Sequence, residues 1–285
     1  MPVTPSNTER APEEGLRVFC LGSFRVYRGS EEIREDDWGR GRGPTQKIKA
    51  MFAYLLSQEK RGVRRETLTD FLWPEQIDYD RAGASFHLAL YCLRRALEPD
   101  LKSGADSSYI RYTRGRYRFD PAEPYWIDVD VFENYCRRAQ DCDRGGDPEA
   151  AMVYWGMALD VYGGDYMAGI DVAYTHNRIY DWCMPRRHRL RELYLTALLE
   201  MARYYRNTEE YGSCVRFARQ AMEVEPALEP AHRIAMQCLV GGGQLESAIR
   251  QYRMCETELA QHENRTPSMQ TRLLYEQLIE NSTHK

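Results

Sequence analysis

The sequence predicts an α+β winged helix followed by an all-α, tetratricopeptide-like helical repeat domain. Three observations predict it: two stretches of apolar–polar alternation bracket three helical patterns, strand patterning stops near Pro124, and a 34-residue self-similarity runs through the second half. The 285 residues are 43% apolar and 29% charged. That range excludes a wholly disordered, collagen-like or coiled-coil chain.

The first fourteen residues, MPVTPSNTERAPEE, form a polar tail expected to be disordered, with neither the basic start nor the apolar stretch of a signal peptide. No apolar run approaches the roughly 20 residues of a membrane helix, so a cytoplasmic address and no membrane partner are expected. From Leu16 to Ile33, LRVFCLGSFRVYRGSEEI alternates around Gly22 and Arg28-Gly29, as short antiparallel strands do. Thr45 caps a helix through Leu56, a second helix runs from Arg65 to Leu72 and stops at Trp73-Pro74, and a third spans about Arg81 to Leu97. SSYIRYTRGRYRFD then alternates on both sides of Arg114-Gly115 and reads as a hairpin. These elements place the winged helix in residues 15–123 and the helical repeats in residues 124–285.

In the second half, Gly145-Gly146-Asp147-Pro148, Glu225-Pro226 and Gly241-Gly242-Gly243 punctuate helical stretches. A shift of 34 residues superposes Ala202 on Met236, Tyr205 on Leu239, Tyr211 on Leu245 and Cys214 on Ala248, which is the tetratricopeptide period and predicts about three helix pairs. Such pairs bury their apolar faces by stacking and leave a concave surface for protein partners.

The net charge of −4 divides unevenly: residues 15–123 carry 20 basic and 16 acidic side chains, residues 124–285 carry 18 and 24. A basic first half suits a polyanion. In the third helix, Phe86, Leu90, Leu93 and Leu97 form a narrow apolar stripe at 100° per residue. The opposite side then carries Arg81, Ala84, Leu88, Tyr91, Cys92 and Arg95, flanked by Ser85, His87 and Arg94. In the hairpin, Ile110, Tyr112, Tyr117 and Phe119 are expected to face inward, Arg111, Arg116 and Arg118 outward, with Arg114 at the tip. A helix that enters the major groove beside an arginine-tipped wing that grips phosphates accounts for both patterns. Arg40 and Arg42 in GRGRG add basic residues to a loop.

The eight cysteines include no C-x-x-C pair and are expected to be reduced core residues; no metal or cofactor is expected. Phosphate-loop, dinucleotide, zincin and nucleophile-elbow motifs are missing, and the Asp128/Asp130 and Asp141/Asp143 neighbours read as helix caps, so no enzyme is expected.

LGSFRVYRG, LTDFLWPE, FHLALYCLRRALEP and YIRYTRGRYRFD together resemble the DNA-binding domain of the Streptomyces antibiotic regulatory protein type of activators, itself similar to the winged helix of response regulators. IDVDVFE, ALDVYGGDYMAGI, DWCMPRRHRLRELY and TPSMQTRLLYEQL resemble the bacterial transcriptional activator domain that follows it. The resemblance implies an activator that binds promoter direct repeats in double-stranded DNA as a side-by-side homodimer and recruits RNA polymerase holoenzyme. It implies that the segment Trp73 to Asp80, with Trp73, Glu75, Asp78 and Asp80, faces the sigma factor, and that Arg94 and Arg95 match a leucine-arginine-arginine motif. Leu88 and Cys92 depart from the polar or basic residues common at those positions. That departure keeps open a protein-interaction adaptor with degenerate DNA binding. A lesser alternative is a small-molecule sensor built around Tyr174, Tyr180 and Trp182.

Overall fold

A computed structural model describes residues 14–39, 45–58, 61–74, 79–102, 104–174 and 181–283. The chain divides into two compact units, the first formed by residues 1–131 and 161–190, the second by residues 132–160 and 191–285. The segment after Val161 packs with the first half of the chain.

In the first unit, β1 (Leu16–Phe19), β2 (Arg25–Arg28) and β3 (Glu31–Glu32) form the expected antiparallel strands. A fourth, β6 (Tyr125–Ile127), lies parallel to β1 with Leu16 opposite Tyr125. The sequence reading ended strand structure at Pro124 and so missed it. Three residues carry too little alternation to be seen locally, and their pairing with β1 depends on the intervening fold.

Between the strands lie α1 (Glu35–Gly39), α2 (Thr45–Ser57), α3 (Arg65–Leu72) and α4 (Tyr79–Leu97). Helix α2 is buried nearly all round, with Ile48 and every residue from Ala50 to Leu56 inside, as suits a central helix. The hairpin comprises β4 (Ile110–Thr113) and β5 (Arg116–Phe119). Its tip has consecutive positive φ values, 53° at Arg114 and 75° at Gly115, matching the twist of a two-residue hairpin.

Asp128 ties the first unit together. It opens α5 (Asp128–Arg144), is 2% exposed, and accepts hydrogen bonds from the N–H groups of Cys20, Leu21 and Val129, each at 2.8 Å. Burial pushes its carboxyl up to about 6, although these N–H groups pull the other way. The segment after Val161 docks on the same turn: Met167 N–H donates to the Cys20 carbonyl at 2.7 Å and Gly22 N–H to the Asp165 carbonyl at 3.0 Å. A Cβ on Gly22 would come within 2.8 Å of the Gly163 oxygen, so glycine permits that approach.

The second unit is helical. The rest of α5 pairs with α6 (Pro148–Val161), where Trp155 Nε1 donates to Asp143 at 3.0 Å. Then come α7 (Met184–Asn207), α8 (Tyr211–Val224), α9 (Glu229–Gly241), α10 (Leu245–Glu263) and α11 (Met269–Thr283). Among the described residues these form three helix pairs and a closing helix, and α8 and α10 begin 34 residues apart, at Tyr211 and Leu245. The superposed Ala202, Met236, Cys214 and Ala248 are all buried.

The reduced-thiol expectation needs one correction: Cys214 and Cys238 form a disulfide between α8 and α9, with Cα atoms 6.5 Å apart. Two small residues facing each other across closely packed helices bring their Cβ atoms within bonding reach. Among the described residues no helix is long and apolar enough to cross a membrane, and no group of three or more His, Cys, Asp or Glu residues could hold a metal ion.

Candidate nucleic-acid interface

Helix α4 buries Phe86, Leu90, Leu93 and Leu97, the stripe expected from its periodicity. Its outer side presents Ala84, His87, Leu88 and Tyr91, the last two 42% and 52% exposed, while Ser85 is half-buried. Arg81 lies in the first turn of α4, and its side chain is outside the described residues. Cys92 departs from the expectation: it is 2% exposed, its Sγ 3.9 Å from the Gly39 carbonyl oxygen. The short helix α1, absent from the sequence reading, packs against that flank of α4 and narrows its free surface.

The two arginines of the last turn are also placed differently. Arg94 donates to the Ile110 carbonyl at 3.0 Å and Arg95 to the Leu101 carbonyl at 2.6 Å, and both are half-buried. Arg95 satisfies a carbonyl of the irregular chain that follows α4, and Arg94 that of Ile110, the first residue of β4. Glu98 adds to this anchor by accepting from Ser108 N–H at 2.8 Å and from the Ser107 hydroxyl. The arrangement fixes the wing against the helix, and leaves neither Arg94 nor Arg95 extended from the outer face.

In the wing, Arg111 and Arg114 are exposed. Arg116 donates to the Gly62 carbonyl at 3.2 Å, and Arg118 pairs with Asp120 at 2.9 Å. Tyr112 lies opposite Tyr117 on the inward face but is 59% exposed, contrary to its expected burial. It overhangs a hollow of about 720 Å³ lined by His87, Leu90, Arg94 and Tyr117 among others, and its ring lies 4.6 Å from that of Tyr117. The hairpin projects past the body here, so inward-facing is not the same as buried. Burial, with Tyr112 adding, pushes the Tyr117 phenol above its ordinary value.

The sequence reading missed Arg61. It joins Thr113, Arg114, Arg116 and Arg118 around a hollow of about 400 Å³, because Val63 pairs with Tyr117 in an isolated antiparallel bridge. The basic run Lys60-Arg61-Gly62-Val63-Arg64-Arg65 carried that signal. The resulting arginine cluster holds a positive field suited to phosphate oxygens.

Other candidates separate. Trp73 is 6% exposed, caps α3, and lies under the Lys47 ammonium at 5.4 Å, so it offers little contact surface. Glu75, Asp78, Arg40, Arg42 and Tyr180 lie outside the described residues; Asp80 falls in α4, with its side chain undescribed. Trp182 is a core residue of the first unit, its ring 5.2 Å from Tyr54 and its Nε1 donating to the Tyr174 carbonyl. That packing gives the aromatic region a structural task.

The family model described as "bacterial transcriptional activator domain" matches residues 127–279. Among solved structures, EmbR of Mycobacterium tuberculosis, determined with a low-affinity phosphopeptide, is similar with a TM-score of 0.75 at 20% identity over 94% of this chain. The chain spans 66% of that EmbR chain. The tetratricopeptide-containing C-terminal domain of a Plasmodium falciparum FK506-binding protein scores 0.39 at 13% identity, covering 55% of this chain and 91% of that one, too low to carry an argument. No curated protein matches. The EmbR likeness shows a winged helix joined to helical repeats, and the match over more than half its length shows that the chain belongs to the bacterial transcriptional activator domain family.

Proposed function

We propose that the chain is a sequence-specific DNA-binding transcription activator. The observation that carries this reading is the arginine cluster of Arg61, Arg114, Arg116 and Arg118 in the same unit as the exposed face of α4. In it, α4 enters the major groove of promoter DNA with Ser85, His87, Leu88 and Tyr91, and Arg81 at its leading end. Leu88 and the Tyr91 ring suit thymine methyl groups, while Ser85 and His87 can exchange hydrogen bonds with base edges. Arg111, Arg114, Arg116 and Arg61 neutralise phosphates beside that groove, and Arg94 holds the wing in place. The second unit supports a homodimer on direct repeats, and RNA polymerase holoenzyme, through its sigma factor, meets the acidic residues Glu75, Asp78 and Asp80 that follow the buried Trp73.

Retention of genomic fragments by the purified protein, sequenced at two salt concentrations with competitor DNA, tests this reading. A recurring direct repeat that survives the higher salt supports it. Retention without sequence enrichment sinks it and favours the adaptor, for which the exposed Leu88 and Tyr91 would serve as a protein contact.

A further inference from the structure

The helical unit holds a basic site of its own. Arg203 and Arg206 on α7, Arg233 and Gln237 on α9, and Leu273 and Leu274 on α11 line a hollow of about 430 Å³. Its lining contains three arginines and three glutamines and no carboxylate. We propose that this groove docks an acidic segment of a partner protein that also carries an aliphatic side chain.

Three features point to that occupant. The arginines are held apart and in place: Arg206 donates to Gln237 Oε1 at 2.7 Å, Arg233 to Thr271 Oγ1 at 3.0 Å, and Arg203 pairs with Glu200 on its own helix. Arg206 has no carboxylate partner among the described residues, while Arg233 stands 3.8 Å from Glu229, which Arg265 also binds. The positive charge in the groove is therefore only partly compensated, and the Arg206 guanidinium is held by the neutral amide oxygens of Gln237 and Asn207 rather than by a carboxylate.

The apolar wall is the second feature. Leu273 is 43% exposed, and Leu274 packs on the core cluster of Met236 and Leu239, so an aliphatic side chain set between the arginines would bury Leu273 against a firm base. The third is electrostatic. Residues 132–160 and 191–285, which form the helical unit, carry 14 basic and 19 acidic side chains, so a long polyanion such as DNA meets net repulsion beyond the groove. A short acidic peptide samples only the local field, within a screening length of about 8 Å.

The experiment is fluorescence anisotropy of the full chain with a short labelled peptide of Asp, Glu and Leu. The comparisons are the same peptide with Asn and Gln for the acids, and labelled oligothymidylate. The acidic peptide should bind at least about tenfold more tightly than its amide analogue, and weaken by about tenfold or more in Arg203→Gln/Arg206→Gln. It should bind unchanged to Arg219→Gln/Arg253→Gln, which removes two exposed charges from α8 and α10. Leu273→Asp, at an exposed position, supplies a groove variant should the double substitution unfold the unit. Equal binding of the amide analogue, unchanged binding by both groove variants, or preference for oligothymidylate would overturn the proposal. Promoter-DNA binding by the groove variants is a separate readout, expected to be unchanged, so failure here and failure of the DNA-binding reading are distinguishable.

Discussion

The two units satisfy their buried polar groups in different ways. In the first, side chains serve the main chain: Asp128 accepts only backbone N–H groups, and Arg94, Arg95 and Arg116 donate to backbone carbonyls. In the second, the buried side chains chiefly serve one another. Glu229 accepts from the Ser268 hydroxyl at 2.6 Å and also binds Arg265 and Thr271, and His232 Nδ1 meets the Gln251 amide at 2.8 Å. The difference follows from architecture. A helix satisfies its own backbone, so a stack of helices leaves main-chain groups for side chains only at its turns, as at Ser268 N–H and the Pro226 carbonyl, whereas short strands and loops leave many more.

The largest test of this contrast is the pH dependence of Asp128. Its folded carboxyl titrates at about 6, above the unfolded value, so the folded form binds the proton more tightly. The stabilisation, about 3 kcal/mol, is fully present below about pH 4 and is lost as pH rises through 6. Urea unfolding of Asp128→Asn and the unmodified protein between pH 4 and 7 should differ by that slope; parallel curves would refute the assignment.

Glu229 should behave with the opposite sign. Burial favours its neutral form, but the Ser268, Thr271 and Arg265 hydrogen bonds outweigh it and hold the carboxyl at about 2. Its contribution is therefore full above about pH 4.3 and lost as pH falls toward 2. Glu229→Gln should cost about 2 kcal/mol at pH 7 and flatten the acid limb of the unfolding curve. A variant as stable as the parent would remove the side-chain network from the comparison.

Arg94→Ala should cost about 1.5 kcal/mol, since it strands the Ile110 carbonyl, and should loosen the hairpin amides in hydrogen exchange. Unaltered protection across β4 and β5 would show that Arg94 does not anchor the wing. Arg114→Gln sits at the other extreme. It should change stability by less than about 0.5 kcal/mol yet weaken DNA binding alike for all sequences and lower the salt slope by about 1. A sequence-selective loss would mean that this tip reads bases.

Much of this was legible in the sequence. The stripe of Phe86, Leu90, Leu93 and Leu97, the Arg114-Gly115 turn and the 34-residue period are local patterns, and local patterns survive folding. The misses share one cause. Cys92 is covered by α1, β6 needs β1 beside it, Arg94 and Arg95 find carbonyls 16 and 6 residues on, and Arg61 reaches the wing because Val63 pairs with Tyr117. Each depends on what lies across space, and periodicity assigns a face to a side chain without naming what covers it.

The wing has three anchors: Val63 and Tyr117 exchange both backbone hydrogen bonds at 2.7 Å, Arg116 reaches the Gly62 carbonyl, and Arg94 holds its opposite strand. Its distance from α4 is thereby set like the gap of a fixed calliper. On the proposed function such a calliper cannot widen to suit the DNA, so the duplex does the adjusting. Sites of equal base match should then rank by how cheaply their flanking steps bend, with flexible pyrimidine–purine steps beneath the wing favoured over stiff A-tracts.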